Sequence, residues 1–495
     1  MLKIFTILFI ILSGAALAQN TIIKGKVIRS SERWSGTIII EGDVVVNPGA
    51  RLVIDPGTTV LFRAGMDKSR SGRDKTRCEL IVRGVLIARG TIKNKIRFSS
   101  AADQPRMGDW QGVSIMNPRL TCIVNYCIIE YAYNGLVIKK SAPKILNSQI
   151  QFNYNAGIIV ELKARPKIIG NIISENGYAG MICNTGAAPL LTDNMITLNQ
   201  IGVINFRTAR PNLGDLTPGE DYNPGRNGIL DNREYNIHNH SSEELKAENV
   251  SWGSKKEKEI SALIFDAADD RKYGAVDIIP ILGGGLNLDE KILLSQATPS
   301  EQTQQPAVSP STTETETQIP EGGNQPAEML TPSQPDRQAL VPDNQNRNDS
   351  LPPLSTEQVA AVAPGTGERD SVQLASAEAD KKTESPSQLQ PEARKEPEID
   401  YNQVFLDAFL DKGRVITKKV APVIDDMHRG LKAHGRIIVR VVVGKMGRVE
   451  SARVLRGLNP YYDQLALDAA KKFVFEQGTI KGNPVRFSSS LIFEF

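Results

Sequence analysis

The chain is short of cysteine, of histidine, of charge of one sign and, beyond its first residues, of long apolar runs. Each shortage removes a class of function. The four cysteines, Cys78, Cys122, Cys127 and Cys183, match neither a zinc-ligand spacing nor the framework of a disulfide-dense small domain, so they are expected as buried thiols. Only four histidines are present. His238-Asn239-His240 spells part of a nuclease motif, but no further His lies nearby to complete a metal site, and neither a metal nor a cofactor is expected. Basic and acidic residues are interspersed and the net charge is +3, which leaves no basic stripe for a nucleic-acid backbone. After the N-terminus no stretch approaches the eighteen or so apolar residues that a membrane-spanning helix needs.

What is present begins with a targeting segment. Lys3, an apolar run from Ile4 to Leu12 and the small-residue end Ala16-Leu17-Ala18 read as a secretory signal, residues 1–18, cleaved after Ala18. As a helix, Ile4 to Ala18 would reach about 22 Å, short of the roughly 30 Å hydrocarbon core. No Cys stands where a lipid could be attached after cleavage. The mature chain is therefore expected as a soluble protein of the periplasm or cell envelope of a Gram-negative-type bacterium.

Residues 298–398 contain no Phe, Tyr, Trp or Cys and hold half of the 28 prolines, amid Gln, Ser, Thr and Glu. Such a segment cannot bury enough apolar surface to offset its ordering entropy, so a disordered linker is expected, averaging about 55 Å end to end as a flexible coil.

Upstream of the linker the signal is a repeat. The glycines of Asn134-Gly135-Leu136-Val137-Ile138, Ala156-Gly157-Ile158-Ile159-Val160, Ala179-Gly180-Met181-Ile182-Cys183 and Ile201-Gly202-Val203-Ile204-Asn205 recur at 22, 23 and 22 residues. Pro143, Pro166, Pro189 and Pro211 keep the same period, and Asn125, Asn147, Asn171 and Asn194 mark a third register. A unit of this length with short β-branched runs and no helix cannot bury both faces alone, whereas stacked copies can. Residues one and three after each Gly then point inward, and Asn at the turns can form amide ladders. A β-sandwich would instead show hairpin turns every 8 to 12 residues or so. The expectation for residues 19–297 is a parallel β-helix, an all-β solenoid.

The segments Trp34-Ser35-Gly36, Gly42 to Leu52, Pro56-Gly57-Thr58-Thr59-Val60 and Gly108-Asp109-Trp110-Gln111-Gly112 resemble the first coils of bacterial right-handed parallel β-helix proteins of the pectate-lyase-like superfold. Asn249 to Gly253, Ile264-Phe265-Asp266 and Gly274-Ala275-Val276 resemble their closing coil. Enzymes of that superfold place acids and bases on the outward face of neighbouring strands. Here the outward position two after each Gly reads Val137, Ile159, Ile182 and Ile204, an aliphatic stripe that is either covered or a docking surface. Asp269-Asp270-Arg271 is the one dense acid group, and it reads as a solvated turn. No catalytic residue is assigned. Binding rather than catalysis is expected, with a carbohydrate-active or carbohydrate-binding β-helix as the alternative.

Residues 399–495 change character. Ile437, Val439, Val441 and Val443 alternate along one strand, Gly444-Lys445-Met446-Gly447 gives a hairpin turn, and Arg448 to Arg456 returns. Asn459-Pro460 caps and starts a helix whose apolar face is Tyr462, Leu465, Ala466, Ala469 and Phe473. A last strand alternates Val485, Phe487, Ser489, Leu491, Phe493 and Phe495. This small α+β unit of order ββαβ, with Gly447-Arg448-Val449, Leu465 to Ala470 and Lys472-Phe473-Val474-Phe475 at matching places, resembles the TonB C-terminal domain. Where that family commonly has Tyr-Pro, this chain has Ile424-Asp425.

The resemblance implies capture of an extended segment of an outer-membrane transporter, or another envelope protein, by strand addition along Arg486, Phe487, Ser488, Ser489, Ser490, Leu491 and Ile492. The same edge could pair in a homodimer. A TonB-type energy transducer is the further alternative, and it requires an uncleaved N-terminal anchor.

Overall fold

In a computed structural model the chain is described over residues 20–117, 120–282, 288–296, 399–424 and 434–495. The signal segment, the linker at 298–398 and Asp425 lie outside the described residues. Among the described residues no helix is long and apolar enough to cross a membrane.

Residues 20–282 form a parallel β-helix. Each coil contributes one short strand to each of three parallel sheets, and every strand pairs with the strand one coil away rather than with its chain neighbour. Sheet A runs from Thr21–Ile23 to Gly228–Leu230, sheet B from Lys26–Ile28 to Ile264–Phe265, and sheet C from Ser31–Trp34 to Val276–Asp277. The glycine register lies in sheet B, where Val137, Ile159, Ile182 and Ile204 stand in one ladder. Leu136, Ile138, Ile158, Val160, Met181, Cys183 and Val203 point into the continuous core, as the period requires. Pro143, Pro166 and Pro189 each precede a sheet C strand, and their carbonyls accept from Lys167, Leu190 and Asn212 of the next coil at 3.0, 3.0 and 2.9 Å.

Side-chain amides stitch the coils together. Asn171 donates to Asn194, and Asn194 to Asn227, both at 2.9 Å. A second ladder runs Asn153, Asn176, Asn199, Asn232 at 2.9, 3.0 and 3.1 Å. This second ladder explains the glycines: a Cβ at Gly157 would lie 2.8 Å from Asn176 Nδ2, and one at Gly180 would lie 2.8 Å from Asn199 Nδ2. The asparagine register read from the sequence is not a single row. Asn171 stands opposite Ser148, whose backbone N–H it accepts at 2.9 Å, while Asn147 is one position earlier and donates to Asn125 at 3.2 Å. All four cysteines are free and buried. Burial pushes the Cys78 and Cys127 thiols up to about 12, so they remain protonated and unreactive.

Helix α1 (Leu288–Ser295) lies over the outside of sheet A, where Lys95 Nζ donates to Leu294 O at 2.5 Å. The C-terminal domain then has strand β1 (Val404–Leu406), β2 (Arg436–Val443), β3 (Val449–Arg456), helix α2 (Pro460–Ala470) and β4 (Arg486–Glu494). Its sheet order is β1-β4-β2-β3. Asn459 caps α2, accepting from Tyr462 N at 3.1 Å, with Pro460 at the first helical position. Gly447 takes φ +76° in the β2–β3 turn, a conformation that a residue with a Cβ adopts only at a cost. Ile437, Val439, Val441 and Val443 pack with Tyr462, Ala466, Ala469, Phe487, Leu491 and Phe493 in one core. The ββαβ order is as the sequence predicts. Strand β1 is an addition to it.

Candidate functional site: the outer edge of the last strand

All seven residues predicted to contact a partner lie in β4. On one side β4 is fully paired with β2, antiparallel from Arg436↔Glu494 to Val443↔Phe487. On its outer side β1 pairs with it in parallel, through Val404↔Arg486, Phe405↔Phe487 and Leu406↔Ser488. Beyond Ser488 no strand of the described residues pairs with the outer side. There Arg414 Nη1 donates to Ser489 Oγ at 2.7 Å and to the Ser490 carbonyl at 3.1 Å, and lies 3.4 Å from Asp407 Oδ2. A strand residue directs its N–H and C=O to the same side, so Ser488 and Ser490 present their backbone groups to this outer side.

The alternation of β4 also divides its side chains. Phe487, Leu491 and Phe493 enter the domain core. Ser488, Ser490 and Ile492 are on the opposite face, which lies against the β-helix. Ser488 Oγ accepts from Arg440 Nη2 at 3.0 Å, and Ser490 Oγ bonds the Glu175 carboxylate. Ile492 packs with Met107, Tyr131, Phe152, Ile438 and Leu455.

The β-helix meets this face with stacked aromatics from consecutive coils. Tyr131 lies on Phe152 with ring centroids 5.8 Å apart, and Tyr133 on Tyr154 at 5.3 Å. Three arginines of β2 and β3 cover them: Arg440 over Phe152 at 4.2 Å, Arg453 over Tyr131 at 5.2 Å and Arg456 over Tyr154 at 4.3 Å. Arg453 also bonds the Tyr131 hydroxyl, and Arg456 bonds that of Tyr154 at 3.1 Å. Met107 N donates to Leu455 O at 2.8 Å, and Arg106 pairs with Asp463 at 3.3 Å. This docking surface is polar as well as apolar. Burial pushes the Glu175 and Asp407 carboxyls above their ordinary range, against the opposing charges of Arg440 and Arg414 respectively. Among the described residues, Glu175 Oε1, Asp407 Oδ1 and the hydroxyls of Ser174 and Thr197 are buried with no hydrogen-bond partner.

Residues 426–495 match the family described as Gram-negative bacterial TonB protein C-terminal. The TonB-like domain so defined contains β2, β3, α2 and β4 but not β1. Residues 104–257, all within the solenoid, match a family described as a protein of unknown function (DUF1565). No curated protein and no solved structure matches the chain. The two matches and the fold make this an envelope-associated protein of Gram-negative type, built from a parallel β-helix and a TonB-like domain.

The aliphatic stripe of sheet B is largely covered. Val137 and Ile204 are buried, while Ile159 and Ile182 are half-buried beside Tyr178, Phe206 and Tyr235. The segment 63–78 reaches across this face, with Arg73 at 3.9 Å from Glu161 and Arg77 over the Tyr133 ring at 5.3 Å. Asp269-Asp270-Arg271 is a turn closed by local bonds, in which Asp270 pairs with Lys272 at 2.7 Å. His238 and His240 face each other, Nε2 to Nε2, at 3.0 Å, packed among Tyr235, Phe206, Phe265 and Tyr273. Burial, reinforced by His240, pushes His238 down to about 4. Among the described residues no group of three or more His, Cys, Asp or Glu is placed to hold a metal ion.

Sequence reasoning missed β1 and the docking surface. Repetition of Tyr131/Phe152 and Tyr133/Tyr154 from coil to coil was a usable sign of an aromatic row, but nothing local to Arg440, Arg453 or Arg456 names their partners.

Proposed function

We propose that the chain is a non-enzymatic adaptor of the cell envelope, whose TonB-like domain captures an extended segment of an outer-membrane or other envelope protein by adding it as a strand to β4. The reading is carried by one observation: β4 already holds a parallel strand on its outer side along Arg486–Ser488. An extended chain on that side gains backbone hydrogen bonds whatever its side chains, and pockets at alternate positions then select among sequences. The β-helix is the scaffold to which the domain docks. Its aliphatic, mostly covered stripe supports binding over glycoside chemistry, which needs two carboxylates about 5 to 9.5 Å apart.

The test uses Ser488→Pro and Ser490→Pro in the full chain. Each removes an outer-side N–H donor of β4 and leaves the ladder to β2 untouched. Recovery of envelope partners should fall at least tenfold, with hydrogen exchange of β2 confirming the fold. Unchanged recovery by a folded variant rejects strand capture. A second reading, carbohydrate binding by the solenoid, draws on the half-buried aromatic group of Tyr235, Phe265 and Tyr273. Titration with envelope polysaccharide decides it, with binding lost in Tyr273→Ala expected on that reading.

A further inference from the structure

We infer that β1 is a resident strand holding the place of the partner segment, and that a partner replaces it in the same direction and register. This rests on the capture reading and specifies the segment captured. Strand β1 is separable from the domain that it completes. It lies before residue 426, where the TonB-like match begins, and the remaining strands pair among themselves without it. Its hold on β4 is three residue pairs, where β2 has eight. Within the strand the hold runs through Phe405 and Leu406, which are buried in the domain core, and Ser488 Oγ donates to the Phe405 carbonyl at 3.3 Å. The segment that follows it adds Phe409 and Leu410 to the same core, and Asp411 bonds the turn at Lys481 and Gly482.

The resident strand also describes what the site accepts. A replacing segment runs parallel to β4, sets a large apolar side chain where Phe405 lies and a second where Leu406 lies, and follows them with an acid at the place of Asp407, within reach of Arg414. Arg414 already bonds β4 beyond the end of β1, at Ser489 and Ser490, so an acid there joins segment, arginine and strand.

The probe is a fluorescein-labelled synthetic peptide copying residues 400–411 of this chain, titrated against the full-length protein. Phe405→Ser should bind it at least tenfold more tightly than the wild type, because the resident strand competes less. The same peptide with Asp at its Phe405 position should bind neither. Equal affinity of wild type and folded Phe405→Ser overturns the inference. A second variant, Val404→Cys/Arg486→Cys, joins the two strands in register without removing the apolar anchor. Oxidation should abolish peptide binding and reduction should restore it; binding that ignores oxidation overturns the inference. Native hydrogen exchange provides a measurement needing no substitution. Residues 404–406 should exchange at least tenfold faster than 437–443, and equal protection makes β1 an integral strand, overturning the inference. Envelope-partner capture that persists in the oxidised pair sinks the resident-strand idea alone. Peptide binding to Phe405→Ser with no partner recovered by any form sinks the capture reading alone.

Discussion

Replacing Arg453 and Arg456 by Ala should release the TonB-like domain from the β-helix without unfolding either. Both side chains lie on β3, each with its guanidinium over a tyrosine ring and bonded to that ring's hydroxyl. A cation over an aromatic face contributes about 0.5 to 1 kcal/mol at exposed sites and about 2 when desolvated. These arginines are half-buried, so about 1 kcal/mol each is apt for stacking, with a net hydrogen bond adding up to about 1 more. The pair then contributes about 2 to 4 kcal/mol, or roughly 30- to 1000-fold in the docking equilibrium. The Met107 amide reports on that equilibrium directly, since it donates to the Leu455 carbonyl across the contact. Its exchange should accelerate by the same factor in the double variant while Val439 in β2 keeps its protection. Lys at both positions should give an intermediate result, because an ammonium keeps the charge but loses the planar stack. Unchanged Met107 exchange would refute the assignment, as would equal acceleration of β2, which would show that these arginines stabilise the domain itself.

Asn199→Ala should lower solenoid stability by about 2 to 4 kcal/mol in a denaturant titration, because Asn176 N and the Ile173 and Thr197 carbonyls lose a buried partner. Gly180→Ala should cost a similar amount, its Cβ meeting Asn199 Nδ2 at 2.8 Å and the Gly202 carbonyl at 2.7 Å; a loss under about 0.5 kcal/mol in either case would mean the coils yield locally. Burial raises the Glu175 carboxyl from its ordinary 4.5, so the folded, docked form holds that proton more tightly than the unfolded chain. Its contribution is complete below pH 4.5 and is lost as pH rises through the raised value. Melting temperature should therefore decline from pH 4.5 towards 8, and Glu175→Gln should flatten the decline; an unaltered slope assigns the effect to other groups. If residues 1–18 are a cleaved signal, mass spectrometry of the mature chain finds Gln19 at its start, whereas an intact Met1 terminus favours the energy-transducer alternative.

The solenoid was legible because stacking converts a spatial neighbour into a sequence period. Gly135, Gly157, Gly180 and Gly202 recur because each must admit an asparagine amide from its own ladder, and the prolines recur because each opens a sheet C strand. The ββαβ unit was legible from alternation, cap and turn, which are local. Strand β1 was not: Val404-Phe405-Leu406 is too short to show a period, and its partner lies some eighty residues on. Docking was illegible for a related reason. Tyr131 and Phe152 satisfy a half-exposed turn position as well as they satisfy an interface, and only the arrival of Arg440, Arg453 and Arg456 from a distant strand distinguishes the two. The asparagine register failed by one residue because Asn147 and Asn171 occupy adjacent positions of the same turn, a distinction made by backbone conformation rather than by composition.

Because the strands of each coil pair only with those of the coil before and after it, the solenoid is a rod whose length can change in whole units. A duplicated repeat of 22 or 23 residues inserted ahead of the sheet A strand Thr37–Ile40 would add about 4.8 Å, one strand spacing. The aromatic row and the three arginines would keep their mutual positions. The length of the rod and the surface that holds the TonB-like domain are thus set by different parts of the chain, and a gene encoding it can lengthen one by copying a coil while leaving the other unaltered.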